Sequence, residues 1–139
     1  SVKLPFAYLL TINDPEITEL LCNHGIRLER LGEDSKIEVE RFDITELLGA
    51  SRLNQGHYIN SIKGKCLETT VDFPAGTVVI RMAQPLANVA AYLLEPESDD
   101  GLLTWNFLDR YLVPQWGRGF NPYPVCKIMK NTSLKTIPF

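Results

Sequence analysis

The chain has 139 residues, 45% of them hydrophobic, and carries a formal net charge of −3 with a pI near 5.4. A chain of this size can bury about two-thirds of its unfolded surface, so one domain can fold without a metal or a disulfide. The acidic balance and the scattered Lys and Arg residues argue against a nucleic-acid partner. No apolar run reaches the roughly 18–20 residues that span a bilayer, so membrane insertion is not expected.

The first 31 residues predict a strand, a helix and a second strand. Phe6–Ile12 has the aromatic and aliphatic composition of a strand. A helix over Pro15–His24 would begin at Asp14 as N-cap and end at Gly25 in the left-handed conformation. Ile26–Leu31 then alternates as a strand. Because the joints are very short, the pattern predicts a βαβ unit with parallel strands.

Period-two alternation continues as far as residue 82. Lys36–Ile44 alternates charged and apolar residues and predicts a strand with one exposed face. Thr45–Gly56 is ambiguous, and its leucines allow a helical turn within a loop. Gly64 is predicted to lie in the turn of a hairpin between residues 58 and 73. A tight turn follows at residues 74–76, and Thr77–Met82 is the most strand-like run in the chain.

The hydrophobic period changes to 3.6 after Gln84. It predicts a helix over Pro85–Leu94, which Pro96 ends. A second helix over Asp100–Leu112 would follow a tight corner, with a residue of the Ser98–Asp100 stretch as its cap. The predicted fold class is therefore α+β, with a mixed β-sheet, an N-terminal βαβ unit, antiparallel hairpins and two consecutive C-terminal helices.

The last 26 residues differ in composition from the rest. The stretch PQWGRGFNPYPVCKIMK contains three prolines, two glycines and three aromatic residues. Such a segment predicts ordered coil that is anchored by its aromatic side chains. We therefore divide the chain into an α+β domain over residues 1–113 and an ordered Pro- and aromatic-rich tail over residues 114–139 that packs on the same domain.

The acidic run from Glu95 to Asp100 has two interpretations. Helix capping explains it fully, since Ser and Asp are favourable N-caps. A calcium loop would need alternating oxygen ligands and a distal Glu, and that spacing is missing. If these residues serve binding, they form a candidate interaction surface with residues of the tail. Its members are Glu95, Glu97, Asp99, Asp100, Trp116, Arg118, Phe120 and Tyr123.

The sequence shows no catalytic or metal centre. His24 and His57 are the only histidines, and each is followed three residues later by a residue other than Glu, namely Arg27 and Asn60. No cofactor or metal site is therefore predicted within this chain.

The cysteines are three in number and far apart. Cys22, Cys66 and Cys126 form no CxxC pair, and we interpret them as small buried hydrophobic residues. One disulfide plus one free thiol remains an alternative if the protein is exported.

Two stretches resemble a known family. ELLCNHGIRLERL and FPAGTVVIRMAQPLANVAAYLLEPESDDGLLTWNFLDRYL resemble the region C-terminal to the catalytic domain in bacterial zinc carboxypeptidase-like proteins, relatives of carboxypeptidase A. The resemblance spans most of Phe6–Val125. Its most specific part is a continuous block made of Gln84-Pro85 and the stretch from Leu94-Glu95-Pro96 to Trp105-Asn106.

The resemblance implies an accessory role. The family holds zinc with an HxxE pair and a further His, and none of these ligands can be carried onto this sequence. The chain is thus expected to be a non-catalytic accessory domain that supports the stability or the substrate cleft of a metallocarboxypeptidase. Its expected partner is the catalytic peptidase domain of the same polypeptide, which would hold the zinc, and the expected location is periplasmic or secreted.

An alternative function remains. The chain could be a free-standing small enzyme or binding domain that uses the carboxylates of Glu95–Asp100 with a basic group such as Arg81 or Arg118. Zinc-dependent hydrolysis by the isolated 139 residues would favour this alternative over the accessory role.

Overall fold

The computed structural model describes residues 4–52, 56–96 and 122–139. Within these ranges the chain forms seven strands and two helices. Their bounds are β1 Ala7–Leu10, α1 Pro15–Asn23, β2 Glu29–Leu31, β3 Ser35–Arg52, β4 Gly56–Phe73, β5 Val78–Arg81, α2 Ala87–Leu94, β6 Val125–Ile128 and β7 Thr136–Pro138.

Helix α1 begins and ends as its sequence predicts. The Asp14 side chain accepts a hydrogen bond from the Glu16 backbone N–H at 3.0 Å, and Pro15 occupies the first helical turn. Gly25 follows the helix with a φ of +81°, a conformation that costs glycine little. The buried face of the helix includes Ile17 and Leu21.

The sheet corrects the predicted fold class. The strand order is β4-β3-β6-β1-β5-β2-β7, and every pair of neighbours is antiparallel. Strands β1 and β2 run in the same direction, but β5 lies between them and pairs antiparallel with both. The mixed sheet with a βαβ unit is therefore wrong. Local patterns identified the strands and the helix, but they carry no information about which strand inserts between them.

Strands β3 and β4 form one long hairpin. The sequence instead predicts a strand over Lys36–Ile44, an ambiguous segment over Thr45–Gly56 and a separate hairpin between residues 58 and 73. Each strand has 18 residues, and the register runs from Ser35 opposite Phe73 to Arg52 opposite Gly56. Irregularities near Thr45 shift the register without ending the strand. Gly64 lies inside β4, where an added Cβ would come within 2.2 Å of the Asp43 carbonyl oxygen. This glycine serves close backbone approach and not a turn, so the predicted hairpin around it is wrong.

The C-terminal half also departs from the prediction. Helix α2 is found over Ala87–Leu94, but it is the last helix in the described part of the chain, which finishes on β6 and β7. Two consecutive C-terminal helices do not fit this largely antiparallel architecture. The segment Asp100–Leu112 and the boundary between residues 113 and 114 lie outside the described residues.

Val125–Ile128 forms strand β6, so the prediction of coil is wrong for these four residues. It lies between β1 and β3 in the middle of the sheet, and three of its four residues are buried. The two prolines that precede it suggested irregular backbone, but they end before the strand begins.

Each face of the central part of the sheet carries a cluster of buried residues. One face packs against the two helices, with Tyr8, Leu10, Ile80, Phe42 and Tyr123 among its members. The other face carries a second cluster, to which β3 contributes Ile37 and Val39 and β4 contributes Phe73. The residues of this second cluster are Ala7, Leu9, Leu31, Ile37, Val39, Phe73, Val79, Cys126 and Ile128.

Candidate functional site

A polar cluster forms where α2 ends on the sheet. Glu95 directly follows the helix in extended conformation, and its side chain turns toward the central strands. One carboxylate oxygen accepts a short hydrogen bond from the Tyr8 hydroxyl of β1. The other lies 3.1 Å from the Lys127 ammonium of β6. We call this group, together with Glu40 of β3, the Glu95 cluster.

Lys127 is shared by two carboxylates. Its Nζ lies 3.1 Å from Glu95 and 3.7 Å from Glu40, which is opposite Lys127 in the register of β3 and β6. The three side chains are 17%, 17% and 23% exposed, respectively. Burial lowers the pKa of Lys127, but the charges of both glutamates and the hydrogen bond to Glu95 more than offset this and raise it overall. The ammonium is therefore fully protonated at neutral pH.

Two buried tyrosines complete the surroundings. Tyr123 is 1% exposed and donates a hydrogen bond to the Leu94 carbonyl oxygen at 2.8 Å, which satisfies an otherwise orphan acceptor at the end of α2. Burial, with the negative charge of Glu95, raises the pKa of both Tyr8 and Tyr123. Both phenols therefore remain neutral donors over the physiological range.

The Glu95 cluster therefore acts as a clip. It joins α2 to three adjacent strands through charged hydrogen bonds in a partly buried setting. Both oxygens of Glu95 are already engaged, and the contacts are internal. The Glu95 cluster therefore fits a structural role, in which it holds α2 on the sheet, better than a role in acid–base catalysis.

Only two of the eight residues predicted to form an interaction surface, Glu95 and Tyr123, lie in the described part of the chain. Glu95 belongs to the clip, and Tyr123 is a core residue whose ring meets Phe42 edge-on at a centroid distance of 6.2 Å. The other six predicted residues lie outside the described part of the chain: Glu97, Asp99, Asp100, Trp116, Arg118 and Phe120.

Sequence reasoning missed Lys127 and Glu40. Lys127 lies in the apolar run Val125–Ile128, and a charged residue inside a buried strand is the signal that could have marked it. Its partners could not be found in the same way, because Glu40 is 87 residues away and β3 pairs with β6 only through this position.

A second polar group lies beside an open groove of about 670 Å³. The Arg81 guanidinium contacts the Glu29 carboxylate at 3.0 Å and the Thr136 hydroxyl at 3.3 Å. These contacts join β5, β2 and β7. Arg81, one of the two basic groups named in the alternative enzyme hypothesis, is therefore paired with Glu29, and the other, Arg118, lies outside the described residues.

None of the three cysteines, all of which lie in the described part of the chain, forms a disulfide. Cys126 is buried as predicted, and burial raises the pKa of its thiol to about 11. Cys22 and Cys66 are exposed, so the expectation that all three are buried is wrong.

Within residues 4–52, 56–96 and 122–139, no group of three or more His, Cys, Asp or Glu side chains is arranged to hold a metal ion. His24, one of the two histidines, is exposed and its ring nitrogen lies 2.8 Å from the Leu20 carbonyl oxygen. The described residues thus do not fit a zinc centre, and we derive no zinc chemistry from them.

The chain is similar to fungal carboxypeptidases. Carboxypeptidase 2 of Trichophyton rubrum is 26% identical over 114 residues, which are 78% of this chain and 21% of that protein. Carboxypeptidase 2 of Trichophyton tonsurans is 25% identical over 104 residues, 75% of this chain and 19% of that protein. Trichophyton equinum has a Carboxypeptidase 2 with the same identity and coverage. This chain therefore contains a carboxypeptidase-related region.

The chain spans about a fifth of the length of the curated relatives it matches. No family model matches it, and no solved structure does so either. Among the described residues, neither helix has the length and apolar character needed to cross a membrane.

Proposed function

We propose that this chain is a non-catalytic accessory domain of a zinc carboxypeptidase-like protein. The observation that carries the proposal is the coverage of the matches: they take in three quarters or more of this chain but only about a fifth of each carboxypeptidase. A region of that size corresponds to one domain of a larger enzyme.

The internal use of the polar side chains supports this role. The Glu95 cluster and the Arg81–Glu29 pair both join secondary-structure elements to each other. Tyr8 and Tyr123 are held as neutral donors within the same framework. A domain whose buried polar groups fix its own geometry is suited to support a neighbouring catalytic domain.

The remaining features of the proposal follow from the family resemblance. The partner is the catalytic peptidase domain of the same polypeptide, which lies N-terminal to this region and binds the zinc. The parent protein is bacterial, and it works in the periplasm or outside the cell.

Removal of the matched region from a relative tests the accessory role. Carboxypeptidase 2 of Trichophyton rubrum would be produced whole and without the 114 matched residues. The proposal expects the shortened enzyme to keep measurable release of C-terminal amino acids, with a lower melting temperature or a higher KM. A shortened enzyme that stays folded and binds zinc but has lost all turnover would contradict the proposal, because the removed region would then supply catalytic groups.

A further inference from the structure

We draw no further inference here: the strongest candidate, the open groove of about 670 Å³ that is lined by the end of α1, strand β2 and strand β7, carries none because nothing in the structure shows what covers its apolar wall.

Discussion

Replacement of Lys127 by Met should destabilise the protein more than removal of the charge of an exposed side chain such as Lys36. It leaves Glu40 and Glu95 without their shared cation while both are less than one-quarter exposed. Loss of one partner from a fully buried pair costs about 3–5 kcal/mol, and loss of a surface pair costs about 0–1 kcal/mol. The intermediate burial here predicts about 2–4 kcal/mol, measured by urea unfolding with circular dichroism detection.

Two matched variants make the result interpretable. Lys36→Met breaks a 3.9 Å pair with Asp72 whose side chains are 72% and 82% exposed, so a change of no more than about 0.5 kcal/mol is expected. Glu40→Gln should cost about 0–1 kcal/mol, because Lys127 keeps its closer partner Glu95. Equal losses for Lys127→Met and Lys36→Met would refute the description of the Glu95 cluster as a clip.

Four further variants test the helix cap, the core packing and the titration of a buried thiol. Asp14→Ala should cost about 0.5–2 kcal/mol in urea unfolding by removing the bond to Glu16 N–H, and an unchanged midpoint would contradict this. Leu94→Ala at a fully buried position should cost about 2–5 kcal/mol, whereas Leu86→Ala, 38% exposed, should cost much less; equal costs would contradict the packing. Burial raises the pKa of the Cys126 thiol from its usual 9.0 to about 11 in the folded chain, so stability falls as pH rises through this range, by roughly 2–3 kcal/mol at most. Cys126→Ala should lose that part of the pH dependence, and an unchanged alkaline profile would contradict the assignment.

The parts of the fold that could be predicted from sequence are those fixed locally. Helix α1 follows from Asp14, Pro15 and Gly25, whose side-chain and backbone preferences act within one or two turns. Helix α2 follows from a 3.6-residue period over its eight residues. These signals need no knowledge of the rest of the chain.

The parts that could not be predicted depend on distant pairing. Val125–Ile128 inserts between β1 and β3, and the residues with which it pairs are more than 80 positions away along the sequence. Glycine at position 64 predicts a turn because glycine permits one, but in the structure its lack of a side chain leaves room for the Asp43 carbonyl of the opposite strand. The same limit applies to the Glu95 cluster, whose four members come from four elements that only the folded sheet brings together.

The central claim, that this carboxypeptidase-related chain is not itself the catalytic unit, is tested most directly by hydrolysis. The purified 139-residue chain would be incubated with one equivalent of zinc and peptides of varied C-terminal residue, and released amino acids would be measured by mass spectrometry. Carboxypeptidase 2 of Trichophyton rubrum would serve as the positive control. The proposal predicts release at the rate of buffer alone. Release that requires zinc, scales with the concentration of the chain and stops on chelation would contradict it.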